Sequence, residues 1–292
     1  MTDVAPEPGA GVEPRPPVRG SRRNSALVAG GILLSRLAGF ARERAMAFFF
    51  GNSGVLDAFR AALRIPNLLQ NLLGEGVLSA SFIPVYSRLL AQRREEEAGR
   101  LAGAVAGLLT LVAGGLVLVG VLLAPALTTV LTPGFTGRRY ALTVTLLRIL
   151  FPGIGFLVLS AWCLGVLNSH RRFFLSYVAP VLWNAAQIAA LVAFGLGGLA
   201  AAPLAVALAW GAFVGGALQF LVQLPGVLRL SRRLRLSLDL DLAGVRDTLR
   251  AFGPVVAGRG VVQLLAFIDT VLASLLVTGA LAALGYAQQL FV

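Results

Sequence analysis

The chain has 292 residues, 57% of them hydrophobic and 13% charged, with a mean hydropathy of +0.83. So few polar groups could not cover the surface of a water-soluble domain, and the balance points to a polytopic, all-α membrane protein. The formal charge of +12 rests wholly on arginine, and the single Cys163 and single His170 exclude a disulfide framework or a Cys/His metal cluster.

Residues 1–23 are rich in Pro, Gly and charge and are expected to be disordered. They are too long and acidic a lead for a cleavable signal peptide. A hydrocarbon core about 30 Å thick needs roughly 20 apolar residues per helix. Spans are predicted over 25–50, 57–87, 101–124, 141–167, 173–196, 203–224 and 251–277. They divide into a six-helix lobe over 24–225, a basic connector over 226–250 and the opening of a second lobe over 251–292. Between spans 3 and 4, the link 125–140 carries a Pro133-Gly134 turn signal. Alternation over 234–242 reads as an interfacial amphipathic segment rather than a strand. The apolar run after Thr278-Gly279 is too short to cross a bilayer before Val292, so the chain is expected to be part of something longer. Spans 7 and 8 echo spans 1 and 2, each pair joined by a short Gly-bearing turn, as in duplicated transporter bundles.

Arginine falls unevenly between alternate loops. The N-terminal stretch, the loops after spans 2 and 4 and the connector hold most of it, including Arg15, Arg93, Arg171 and Arg233. The opposite loops hold only Arg138 and Arg139. By the positive-inside rule the N-terminus is cytoplasmic, and the loop arginines serve mainly orientation.

From Ser35 to Pro84 the apolar pattern is interrupted by Arg36, Arg42, Glu43, Arg44, Asp57, Arg60, Arg64 and Glu75. A charge at membrane depth costs about 2.5–3.5 kcal/mol or more, so such residues face a bundle interior or a wet cavity unless they snorkel. Asp57, Arg60, Arg64, Asn67, Asn71 and Glu75 recur every three or four residues, which places them on one helical stripe and predicts a cavity wall. Pro66 is expected to kink that helix. Guanidinium grips phosphate in bidentate fashion as ammonium does not, so an anionic ligand suits this wall. Cys163 reads as packing, and His170 stands in an Arg-rich loop without a nucleophile beside it. No catalytic residue, metal or cofactor is expected, and the basic charge is not a nucleic-acid signature.

The strings LSRLAGFARE (34–43), FGNSGVLDAF (50–59), RIPNLLQNLLGEGVLSASFIPV (64–85) and the APxxxxxxTPGF pattern over Ala124–Phe135 resemble the MviN/MurJ family of lipid II flippases. That family lies in the multidrug/oligosaccharidyl-lipid/polysaccharide exporter superfamily. The resemblance covers about 24–292 and implies the first six-helix lobe of a two-lobe bundle, with span 7 and the start of span 8. It further implies a multi-pass protein of the bacterial inner membrane, not an enzyme, that moves lipid-linked peptidoglycan precursor between leaflets by alternating access. On that resemblance Arg36, Arg42, Asp57 and Glu75 match central-cavity positions, with Arg42 as a diphosphate ligand. Glu43 stands where many members have Asp. Gln70 and Gln289 depart from the family's arginines, and Arg60 and Arg64 could compensate. The implied substrate-binding set is Ser35, Arg36, Arg42, Asp57, Arg60, Arg64, Asn67, Gln70, Glu75 and Gln289.

Three functions compete on these grounds. A flippase for a lipid-linked oligosaccharide diphosphate, lipid II above all, fits the arginine-rich stripe; cell-wall synthesis proteins are conceivable partners beside membrane lipids. An exporter of cationic drugs on the same fold would want carboxylates instead. A cell-wall scaffold that transports nothing would suit a shortened second lobe.

Overall fold

The computed structural model describes residues 19–231 and 234–290, without the side chains of 19–28, Glu75, Gly76, Val262, Gln289 and Leu290. Helix α1 (Arg19–Phe50) is followed by α2 (Gly54–Leu73) and α3 (Glu75–Ala91), which together form the second predicted span. After α4 (Glu95–Leu122) comes α5 (Ala124–Leu131), then α6 (Gly137–Ser169), α7 (Phe173–Gly195), α8 (Ala201–Leu230), α9 (Ala243–Ser274) and α10 (Ala280–Leu290). Among the described residues no strand occurs, and six segments are long and apolar enough to cross a membrane: 54–91, α4, α6, α7, α8 and α9. The link after α4 is not plain loop. Pro125, which supplies a fixed φ and needs no amide partner, opens the short α5 there.

The bundle is built around α6. Its first half packs Leu146, Leu147, Leu150 and Phe151 against Met46, Leu56, Phe59 and Leu208. Its second half packs Ile154, Val158, Trp162, Cys163 and Leu167 against Phe82, Leu101 and Val227. Helix α8 lies along both α6 and α7, α1 lies on α7, and α2 lies on α6. The buried face of α8 is small (Ala205, Ala209, Ala212, Gly215), which lets backbones approach where lipid gives no hydrophobic drive between helices.

The second predicted span breaks at Gly74, while α2 runs on through Pro66. Gly74 donates its N–H to the Gln70 carbonyl at 2.7 Å, and a Cβ there would stand 2.2 Å from that oxygen. Only glycine fits. The connector is also shorter than expected, because α8 extends to Leu230 and α9 begins at Ala243. Its extended residues lie against α4, where Gly103 and Gly107 leave no room for a Cβ beneath the Arg235 and Ser237 carbonyls. Leu236, Leu238 and Leu240 point outward, the alternation seen in the sequence.

Two helices on the arginine-rich side close with the same motif. After α3, the Arg93 N–H bonds the Leu90 carbonyl and the Arg94 N–H the Leu89 carbonyl, both at 3.0 Å. After α6, the Arg171 N–H bonds the Asn168 carbonyl at 3.0 Å and the Arg172 N–H the Leu167 carbonyl at 2.9 Å. These paired bonds need a left-handed residue, normally glycine. Arg93 and Arg171 fill the positions at φ 59° and 60°, at a cost of about 1–2 kcal/mol each.

Candidate functional site

The α2 helix is set at its start by Ser53, whose hydroxyl accepts the Leu56 N–H at 3.4 Å. From there the helical period brings Arg60, Arg64, Asn67 and Asn71 to one wall of a cavity. Helices α1 and α7 supply Arg42, Glu43, Trp183 and Gln187, and α9 and α10 supply Thr270, Leu284 and Gln288. This lobe has a volume of about 470 Å³. A second lobe of about 630 Å³ is lined by Asn71, Ser79, Ser160, Gln219 and Arg259. A third, about 340 Å³, holds Ser35, Arg36, Tyr177 and Trp183. Gln70 belongs to all three and marks where they meet.

The charged centre is a carboxylate between two guanidiniums. Glu43 accepts from Arg42 at 2.8 Å through one oxygen and from Arg60 at 2.9 Å through the other. The residue is only 8% exposed. Arg42 also lies over the Trp183 ring, 4.8 Å from its centre, and Arg60 over the Tyr286 ring at 4.7 Å. Aromatic faces attract the planar guanidinium, which leaves its N–H edges available to other ligands. The Nε of each arginine is buried and without a hydrogen-bond partner. Across all three lobes the described lining carries five arginines and one carboxylate, Glu43. A cationic excess in a low-dielectric wall favours an anion.

Arg64 donates to the Ala266 carbonyl of α9 at 2.9 Å through Nε, tying the first lobe's wall to the second. In the second lobe, Gln219 and Gln223 each donate an amide N–H to the Ser160 hydroxyl at 3.0 Å. Gln223 is fully buried and its amide oxygen has no partner. The result is a neutral polar region beside the arginine centre.

Of the residues expected at the site, Arg42, Arg60, Arg64, Asn67 and Gln70 converge on the first lobe, and Ser35 and Arg36 on the third. Asp57 is a correction. Although it keeps the period of the stripe, it is 2% exposed and caps α10. Its carboxylate accepts the Gly279 N–H at 2.7 Å and the Ala282 N–H at 2.8 Å, with Arg139 at 3.7 Å. A carboxylate at a helix start meets free N–H groups and the positive end of the dipole, so it serves α10 rather than the cavity. Glu75 begins α3 beyond the Gly74 break, and its side chain, like that of Gln289, lies outside the described residues. Sequence reasoning missed Trp183, Gln187, Tyr286 and Ser160. The polar Asn184 and Gln187 inside an apolar span were the available signal for the α7 wall.

Comparison with known proteins gives the chain a family and a shared fold. The family model for "Lipid II flippase MurJ" matches residues 46–292. The lipid II flippase MurJ of Burkholderia cenocepacia is 38% identical over 272 residues, which is 90% of this chain and 52% of the relative. A probable lipid II flippase MurJ of Rhizobium tropici is 35% identical, over 90% of this chain and 50% of its own length. The chain thus spans about half the length of the curated relatives it matches. Among solved structures, a lipid II flippase MurJ in an inward closed conformation aligns with a TM-score of 0.74 at 22% identity, over 91% of this chain and 54% of that one. The MATE multidrug transporter DinF-BH aligns at 0.68 and 19% identity, over 92% and 60%.

Proposed function

Because this chain belongs to the lipid II flippase MurJ family, we propose that its cavity receives the diphosphate-bearing headgroup of lipid II and hands it across the membrane by alternating access. The observation that carries this reading is the Arg42–Glu43–Arg60 centre. Glu43 occupies the place an anion would take, and a diphosphate oxygen would compete for the same guanidinium edges. Arginine forks suit such an anion geometrically as well as by charge. The uncharged polar groups Ser160, Gln219 and Gln70, in a lobe that also holds Arg259, suit hydroxyl and amide groups of the remaining headgroup.

Alternating access needs one end of the cavity shut. The Asp57 cap holds α2 against the start of α10, and Arg139 reinforces it by donating to the Thr278 hydroxyl at 2.5 Å. We read this junction as the closed outer gate, with the N-terminus on the cytoplasmic side of the bacterial inner membrane. The protein then acts as a transporter rather than an enzyme. A cationic-drug exporter shares the shape of the bundle, but five arginines against one carboxylate across the three lobes oppose a cationic guest.

The test is lipid II binding to the purified chain. Arg42→Ala and Arg60→Ala each remove a charge-assisted bond of about 1.5–3 kcal/mol, or roughly ten- to a hundredfold in affinity. Arg→Lys recovers only part, since the fork is lost. Arg93→Gly, outside the cavity, leaves affinity unchanged. Binding by Arg42→Ala and Arg60→Ala equal to that of Arg93→Gly overturns the proposal.

A further inference from the structure

On the arginine-rich side, away from the central cavity, a separate concavity of about 510 Å³ lies where α6 ends, α7 begins and α8 ends. Arg171, Arg172 and Arg229 line it. None of the three forms an ion pair among the described residues. Three guanidiniums in one hollow repel one another unless an anion joins them. The remaining lining is apolar: Leu167, Leu175 and Leu230 with Phe173 and the 55%-exposed Phe174.

We infer that this hollow is a binding site for an anionic glycerophospholipid. Its phosphodiester is held by Arg171, Arg172 and Arg229, and the first acyl methylenes lie on the leucine and phenylalanine wall. Basic pockets between spanning helices are suited to anionic headgroups of the adjoining leaflet. The backbone supplies a second argument. Arg171 occupies a left-handed position at φ 60°, where glycine would be unstrained, and this strained backbone presents a guanidinium to the hollow. A lipid is favoured over a soluble phosphate because more than half of the lining residues are apolar and the hollow opens beside the spans. It is favoured over an acidic peptide because Phe174 and the leucines offer acyl contact.

Arg93 provides the matched control. It sits at the same motif position with φ 59°, carries the same charge and lies outside this lining. The purified chain in neutral detergent is titrated with dioleoyl phosphatidylglycerol and, separately, with dioleoyl phosphatidylcholine, glycerol 1-phosphate and a poly-glutamate peptide. Bound lipid is counted by native mass spectrometry. Phosphatidylglycerol is expected to bind at least tenfold more tightly than phosphatidylcholine. Arg171→Gly should lose about tenfold of that affinity while its thermal midpoint holds or rises, because glycine relieves the left-handed strain. Arg93→Gly should show the same thermal effect with no loss of lipid. Arg172→Gln and Arg229→Gln, which leave the motif alone, should each weaken lipid binding.

Equal loss in the Arg93 and Arg171 variants means general surface charge and overturns the site. Glycerol 1-phosphate binding as tightly as the lipid makes it a free-phosphate site, and poly-glutamate binding without phosphatidylglycerol makes it a protein contact. Either result overturns the proposal. The Arg42 and Arg60 variants should bind phosphatidylglycerol at this hollow normally, so this inference and the cavity reading stand or fall separately.

Discussion

Replacing Asp57 by alanine should open the outer end of the cavity without unfolding the bundle. In the structure the carboxylate takes two backbone N–H groups of the α9–α10 turn and first helical turn, at 2.7 and 2.8 Å. Charge-assisted bonds of this kind contribute about 1.5–3 kcal/mol apiece, an upper bound of about 3–6 kcal/mol together. Both act as one helix cap, however, and cap-to-alanine replacements cost about 0.5–2 kcal/mol because water replaces the carboxylate. The buried setting argues for the top of the cap range and above, so about 2–3 kcal/mol is expected against the closed end. Since 1.4 kcal/mol is tenfold, the open population should rise roughly 30- to 150-fold. The assay is the labelling rate of a cysteine at Leu281, 5% exposed and facing the cavity, in a Cys163→Ala background with an impermeant reagent at the outer face. Asp57→Asn retains one acceptor oxygen and should fall between wild type and alanine. A labelling rate for Asp57→Ala within twofold of wild type, with thermal stability preserved, would refute the gate.

Orientation can be read at exposed positions. Cysteines at Asn52 and Thr136 should react with impermeant reagent outside the cell, and those at Gln92 and Leu236 should not; the reverse pattern turns the protein over. Gln70→Arg places a guanidinium where the three lobes meet and should tighten lipid II binding by about tenfold. Weaker binding would mean the neutral amide is required. His170 is held below its ordinary 6.5 first by burial and then by Arg172, with Glu95 opposing, and its ring meets the Tyr86 hydroxyl at 3.0 Å. A lowered value means the folded state favours the neutral ring, so its stability is full above about pH 6.5 and is lost as pH falls through the depressed value. The thermal midpoint of wild type minus that of His170→Asn should therefore shrink between pH 7.5 and pH 5; a difference that grows on acidification contradicts the assignment.

How much of this was legible in the sequence depends on what periodicity encodes. The four-three-four spacing of Arg60, Arg64, Asn67 and Asn71 placed them on one wall, and charge in an apolar span said the wall was wet. The same spacing misassigned Asp57, because a helical stripe tells which face a residue is on and not what waits opposite it. Its partner is the amide backbone of the α9–α10 turn, more than 200 residues away in sequence. Pro66 drew attention as a breaker, yet the break falls at Gly74, set by the close approach of the Gln70 carbonyl. Nothing in the spacing singles out Trp183 or Tyr286; only the fold puts Arg42 and Arg60 over them. Arg139 counted for orientation alone until its contacts with Thr278 and Asp57 appeared.

The central claim, that the Arg42–Glu43–Arg60 lobe holds the diphosphate headgroup, is tested most directly by a photo-crosslinking residue within it. Leu63 lines that lobe, and Leu118, 60% exposed on α4, faces away from it. Benzoylphenylalanine at Leu63 should capture lipid II, and the yield should fall at least tenfold when Arg42→Ala and Arg60→Ala are combined. The same probe at Leu118 should give only background that the double substitution leaves unchanged. Equal capture at both positions, or capture at Leu63 that survives the loss of both arginines, would contradict the account.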